Sequence, residues 1–348
     1  MSEYSRIKII PAVISDIEHR SECLPYYDAF WSTDADAWCL AGAHLPIFTA
    51  PMASIVNDKN YLDFDRNSIN TIIPRTVSYE RRLEIAKQLI WIAVGLDEFR
   101  KFIDEHDSLE DEYRICVDVA NGHMKKLIDM CTEAKNKFGE NLILMAGNIA
   151  NPNTYLEYAK AGIDYIRLGI GTGSVCATTD LTGIHFDPIE LILSCRNIKF
   201  YVENNIRNFD CIYKSVPKIV ADGGIDSISD IIKALAIGAD YVMCGKLFAA
   251  CEEACGETRV IHVPIKSESG TVVFKDKTYR KHYGMSTERA QKEMGNTKIK
   301  LSEGKEKWIE INNTLPEFEK QFVVAISSTM SYCGKRTLEE FIGNVSYR

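Results

Sequence analysis

The sequence predicts an α/β fold, a closed parallel (βα)8 TIM barrel, on three observations. Eight short apolar, β-branched runs recur through the first 245 residues, most of them lack polar alternation, and amphipathic segments lie between many of them. Missing alternation is the mark of strands buried on both faces. In order, the runs are Ile47–Ala50, Thr71–Ile73, Ile90–Val94, Arg114–Val117, Leu142–Met145, Tyr165–Leu168, Lys218–Val220 and Tyr241–Met243. Between the fourth and fifth, Met124, Leu127, Ile128, Cys131, Ala134 and Phe138 keep helical spacing; between the last two, Ile228, Ile231, Ile232 and Leu235 do the same. An open doubly wound sheet would carry a Gly-rich fingerprint after its first strand, which is absent here. One barrel domain is expected over 1–348, with an N-terminal extension over 1–44 and site-forming loops and a C-terminal segment over 246–348.

Composition narrows the function classes. The 348 residues are 46% hydrophobic and 26% charged, an ordinary globular balance. A net charge of −8 argues against nucleic acid as partner, because phosphate backbones need a basic face. No apolar stretch approaches the ~20 residues that span a bilayer, and the N-terminus has no secretory h-region, so the expectation is a cytoplasmic protein without a membrane partner. The 11 cysteines are dispersed, several inside apolar runs, as reduced thiols would be. Cys251 and Cys255 stand one helical turn apart, but no His or third Cys is near to complete a metal site.

In such barrels chemistry sits at the C-terminal strand ends. The segments there are PMAS (51–54), PR (74–75), DVANGH (118–123), AGN (146–148), GIGTGSVCATTD (169–180), ADGG (221–224) and CGK (244–246). The loop after the sixth strand far exceeds the usual ~2 to 6 residues and is a candidate lid. Its Gly169, Gly171 and Gly173 clear side chains from a contact surface, and Ser174 and Cys176 follow. Cys176 is a candidate nucleophile, against the alternative of a packing thiol; Thr178 could reach the same reacting atom or be an ordinary loop hydroxyl. Gly223, Gly224, Gly245 and Lys246 fit a phosphate cradle. Asp222, which repels phosphate, suits ribose hydroxyls, unless it is only a turn residue before two glycines. Asp118 and Asn121 offer an acceptor and an amide to a second polar ligand.

Together LILMAGNI, GIGTGSVCATTDLTG, IVADGGI, GADYVMCGKLFA, YGMSTERA and LSEGK, in this order, resemble the family of inosine monophosphate dehydrogenase and GMP reductase, from about Leu45 to Glu340. No inserted regulatory domains and no Arg-Tyr pair in the flap are visible, which inclines the resemblance to the reductase branch, whereas SYCGK at 331–335 looks dehydrogenase-like. The resemblance implies NADPH-dependent reductive deamination of GMP to IMP and ammonia in a homotetramer. It implies Cys176 as nucleophile at purine C2 and Thr178 with Glu303 as the relay for the ammonia proton. Ser174, Asp222, Gly223, Gly224, Gly245 and Lys246 would hold the ribose and phosphate, and Gly284, Met285 and Ser286 with Ser302 and Gly304 would close on the base. Arg75, Asp118, Val119, Ala120, Ile170 and Gly171 would lie near the cofactor. Arg20, Ser328, Thr329 and Ser331 would take its adenosine end from a neighbouring subunit. The carbonyls of Gly171, Gly173 and Cys176 match a potassium site. Departures are Ala53 where an Asp is usual, Thr179 for Arg, Lys246 for a small residue, and a long connection from Cys195 to Val216. Two other readings fit the same residues: an IMP dehydrogenase without regulatory domains, making XMP with NAD, and a silent purine-nucleotide binder.

Overall fold

The computed structural model describes residues 2–28, 30–32, 37–39, 42–208, 211–266, 272–295, 298–299 and 304–348. All eight apolar runs are strands of one parallel sheet: β1 (Ile47–Thr49), β2 (Ile72–Ile73), β3 (Trp91–Val94), β4 (Tyr113–Asp118), β5 (Leu142–Ile149), β6 (Tyr165–Leu168), β7 (Lys218–Asp222) and β8 (Tyr241–Cys244). Each pairs with the next in sequence from β2 to β8, and β8 pairs with β1 through Val242–Ile47, Met243–Phe48 and Cys244–Thr49. The circle closes between β1 and β2. There Thr49 N donates to Asn70 O (2.9 Å), Asn70 N to Ile47 O (3.0 Å), and Ile72 N to the Thr49 hydroxyl (2.9 Å).

The helices cover the outside, as their periodicity requires. Lys125–Phe138 buries Leu127, Met130, Cys131, Ala134 and Phe138, and Ile228–Ile237 starts where the Ser227 hydroxyl accepts Asp230 N. The unusually long connection after Cys195 is largely the continuation of one 18-residue helix, Pro188–Asn205, which Asp187 caps by accepting Ile189 N and Glu190 N with proline in the first turn. No helix among the described residues is long and apolar enough to cross a membrane.

Aromatic rings plug the barrel at the N-terminal ends of its strands. Phe48 meets Trp91 edge-on at 5.6 Å and Tyr241 at 5.1 Å; Tyr165 meets Trp91 at 5.2 Å, and Tyr27 stacks on Tyr241 at 4.9 Å. These are the centroid separations that aromatic quadrupoles favour. With the floor filled, the only end left for ligands is the C-terminal one.

Beyond β8 the sequence suggests loops, yet the structure holds an antiparallel arm of β9 (Thr258–Lys266), β10 (Val272–Tyr283) and β11 (Glu306–Glu310). Its outer part is largely solvated, with Val260, Val272 and Phe274 exposed among charged residues, so no buried face imposes the alternation that marks a strand. Register is held instead by Arg259 over the Trp308 ring (3.9 Å) and the pairs Lys277–Glu310 and Lys281–Glu306 (2.8 Å each). At the other end of the chain Ile9–Ile10 pairs with Ser346–Tyr347, and a short 3-10 turn, Glu3–Arg6, reaches the mouth of the barrel.

Phe48 is 1% exposed and touches three of the floor rings. Phe48→Ala should cost about 3 to 5 kcal/mol in urea unfolding, the range for emptying an aromatic core site. A loss below about 1 kcal/mol would mean that the floor collapses around the gap.

Candidate active site

The C-terminal ends of β1, β6, β7 and β8 surround a cleft of about 190 Å3 lined by Met52, Thr172, Ser174, Asp222, Gly223, Gly224, Gly245, Lys246 and His282, with Ser2 and Glu3 from the N-terminal turn. Six residues expected at the ribose and phosphate, Ser174, Asp222, Gly223, Gly224, Gly245 and Lys246, are thus together.

Two glycines allow the loop after β6 to lie on the β7 turn. A Cβ on Gly223, at φ +103, would meet Thr172 Oγ1 at 2.2 Å, and one on Gly169, at φ +125, would meet Asp222 O at 2.3 Å. The seam is fastened by Gly224 N to Thr172 O (2.9 Å) and Thr172 Oγ1 to Asp222 O (3.0 Å).

Beneath it lies Arg167, on β6 and 6% exposed. Its Nη1 donates to Asp118 Oδ1 (2.7 Å) and its Nη2 to Asp222 Oδ2 (2.8 Å), while Asn148 donates to the same Oδ2 (2.7 Å) and to Gly169 O (2.8 Å). Burial opposes the guanidinium charge, but Asp222, Cys116 and Asp118 outweigh it and hold its pKa well above the ordinary arginine value. Among the described residues Asp222 Oδ1 has no protein partner, so one oxygen remains available to a diol. The sequence places Asn148 in the strand-end segment AGN without a role and leaves out Arg167, whose signal is a lone charge inside an apolar strand, YIRL.

Cys176 stands at the exposed end of the Gly-rich loop, half-buried, with Sγ donating to Thr178 Oγ1 at 3.2 Å. The thiols of Cys116, Cys131, Cys195 and Cys244 are buried, and burial pushes their pKa values up, which leaves them inert. The Cys176 loop is clamped from above. Cys176 bridges Gly304, Lys305 N donates to Val175 O (2.8 Å), Gly284 N donates to Lys305 O (3.2 Å), and Lys305 pairs with Asp180 (2.5 Å). Gly284 and Gly304 therefore lie against the loop that carries the candidate nucleophile, with Ser286 beside Gly304 and Met285 following Gly284 in the chain. Ser302 and Glu303 lie outside the described residues.

On the other side of the mouth Arg75 Nη1 approaches Asp118 O (3.4 Å), and its Nε, 3.8 Å from Glu98, is buried without a hydrogen-bond partner among the described residues. An orphaned guanidinium N–H at the rim, next to Asp118, Val119 and Ala120, fits a polar cofactor there. Asn121 is occupied otherwise, its Oδ1 accepting His123 N (3.0 Å). Arg20 Nη1 reaches Ser328 Oγ (3.4 Å), Ser331 Oγ donates to Ser328 O (3.0 Å), and Thr329 lines a separate cavity on the helix Leu315–Tyr332. None of these four is among the residues that line the cleft of their own chain. In the Gly-rich loop, Gly173 O accepts Cys176 N (3.0 Å), and Thr179 donates to Ile184 O (3.1 Å). The carbonyls of Gly171, Gly173 and Cys176 are neutral oxygen donors, the kind a monovalent cation takes.

Sequence reading also missed His282 and the N-terminal turn. His282, 1% exposed on β10, bonds Ser54 Oγ through Nδ1 (2.9 Å) and turns its Nε2 edge to Gly245. Burial, then Lys307 and Lys246, push its pKa down to about 4, so it is neutral at pH 7. Lys246 itself pairs with Asp226 (2.8 Å).

Residues 92–347 match the sequence profile of the IMP dehydrogenase / GMP reductase domain. The GMP reductase of Helicobacter pylori is 28% identical over 348 residues, covering 97% of this chain and 92% of that protein. For the GMP reductase of Staphylococcus aureus the identity is 30% over 350 residues, with 97% and 93% covered. The inosine-5'-monophosphate dehydrogenase of Chlorobaculum parvum is 31% identical over 245 residues, covering 67% of this chain but 44% of that protein, so the chain matches less than half the length of this relative.

Arg167→Met should leave Asp118 and Asp222 facing each other without their shared cation and cost about 3 to 5 kcal/mol of stability, read from the urea midpoint. A near-neutral result would show that water or Asn148 alone satisfies both carboxylates.

Proposed function

Because the chain belongs to the IMP dehydrogenase / GMP reductase family, we propose that it is a GMP reductase, converting GMP to IMP and ammonia at the expense of NADPH. The observation that carries this reading is the thiol of Cys176, hydrogen-bonded to Thr178 at the mouth of a cleft that also presents Asp222 Oδ1 and the Gly223–Gly224 and Gly245–Lys246 turns. End-to-end similarity to GMP reductases supports the branch.

In the proposed reaction Cys176 Sγ bonds to purine C2 as its proton is given up, and the C2–N bond to the amino group breaks, releasing ammonia and leaving a thioimidate. Thr178, within hydrogen-bond reach of Sγ, and Glu303, next to Gly304 which bridges Cys176, are proposed as the path by which the amino group gains its proton. When bound, a dihydronicotinamide would supply the hydride for C2, and loss of the C–S bond would return the Cys176 thiolate. Arg75, Asp118, Val119, Ala120, Ile170 and Gly171 would hold that cofactor beside C2, with Arg20, Ser328, Thr329 and Ser331 acting in a neighbouring subunit of a homotetramer. Potassium on the Gly171, Gly173 and Cys176 carbonyls would fix the loop that carries the nucleophile. The bacterial GMP reductases among the relatives support a cytoplasmic enzyme.

Absorbance at 340 nm tests the branch: it should fall with GMP and NADPH, and IMP with NAD should give no sustained rise. Sustained XMP formation would move the assignment to the dehydrogenase, and no change in either mixture, despite nucleotide binding, to a silent binder. Cys176→Ala should abolish turnover while GMP still binds within about tenfold, because the thiol lowers the barrier more than it holds the ground state. Lys246→Ala should weaken GMP binding by roughly 1.5 to 3 kcal/mol and leave guanosine nearly unaffected; equal losses for both would mean that Lys246 does not meet the phosphate.

A further inference from the structure

We propose that His282 is a second phosphate-recognition group, facing the cleft beside Gly245 opposite Lys246, and that it takes up a proton as a nucleoside monophosphate binds. The inference rests on the nucleotide reading of the cleft and adds a proton-linked specificity device to it. Its basis is geometric. The ring is anchored at one nitrogen only, Nδ1 on the buried Ser54 hydroxyl at 2.9 Å. Its other edge is aimed at the cradle, since a Cβ on Gly245 would lie 3.7 Å from both Cε1 and Nε2. No group among the described residues hydrogen-bonds Nε2, while the ring lines the same cleft as Gly223, Gly224 and Lys246.

The charges around the ring decide its protonation. Lys307 lies opposite on β11, Lys246 follows Gly245, and Arg280, two residues back on β10, donates to the carbonyls of Ala249, Cys251 and Glu252. On the acidic side Asp226 is paired with Lys246, Asp222 is engaged by Arg167 and Asn148, and Glu3 borders Gly224. Without a ligand, cations and burial dominate and the imidazole is neutral at pH 7. A phosphate dianion placed against Nε2 reverses that balance, because an opposite charge within ~4 to 6 Å favours the protonated ring. The proton comes from solvent, and the cationic ring donates from Nε2 to phosphate while Nδ1–H turns to Ser54 Oγ. Protonation accompanies binding, so affinity rises as pH falls toward about 6, below which the phosphate monoester itself is protonated and the dianion is lost.

Histidine side-chain NMR of the whole protein tests this, with His282→Gln, which can still bond Ser54, identifying the His282 signal among the 7 histidines. Saturating GMP should move the His282 midpoint upward from about 4 to about 6.5 or above, so that the ring is protonated in the complex near neutral pH, and guanosine should not move it. His282→Gln should bind GMP more weakly at pH 6.5 than the parent and lose the added pH dependence. A His282 midpoint unchanged by bound GMP overturns the proposal. Sulfate, which stays a dianion across this range, separates the two readings. If GMP and IMP fail to bind but sulfate shifts His282, the anion site stands with its nucleotide assignment revised to a simpler anion; if neither shifts it, the proposal falls.

Discussion

Arg167 is the constraint on which the site depends. One guanidinium, sunk into the barrel at the end of β6, spans the carboxylates of Asp118 on β4 and Asp222 on β7. Two carboxylates at strand ends would repel each other; the cation between them turns that repulsion into a fixed spacing, and Asn148 completes the arrangement from β5. What results above it is a paired surface. Asp222 anchors the seam where the Gly-rich loop meets the Gly223–Gly224 turn, and Asp118 begins the segment that faces the opposite half of the mouth. The two proposed ligand halves are held at a common distance by a residue that need touch neither ligand.

The strands were readable because their burial is two-sided: Trp91–Val94, Leu142–Met145 and Tyr241–Cys244 leave no polar alternation to confuse with a surface element. Their number led directly to the barrel, and the location of chemistry at their C-terminal ends led to Cys176, Asp222 and Lys246. The antiparallel arm was not readable. Val260, Val272 and Phe274 are exposed, so its strands are held by register, ion pairs and one stacked arginine, none of which has a period in the sequence.

The site residues that escaped sequence reading share one property: each is placed by a fold-level event remote from its own neighbours in the chain. His282 belongs to the arm but points into the barrel mouth, where Ser54, 228 residues earlier, fixes its ring. Arg167 reads as a strand charge until β4, β5 and β7 are assembled around it. Ser2 and Glu3 enter the cleft wall because the N-terminal turn is held on the barrel, with Tyr4 buried, Arg6 paired with Asp187 and the two chain ends paired beyond it.

That last pairing gives the cleft an unexpected stiffness. Tyr4 is buried, and the Glu3 side chain borders Gly224 (3.3 Å to a Cβ built there). The strand that follows is bonded to the far end of the chain, with Lys8 and Arg348 exchanging both backbone hydrogen bonds at 2.9 and 3.0 Å. A swing of the wall near Gly224 must therefore peel that two-stranded seam or bend the short span at Ile7. The C-terminal residues, though they are not among the residues that line the cleft, act as a strut for it, and the width of the cleft near Gly224 is set partly by contacts on the outside of the barrel.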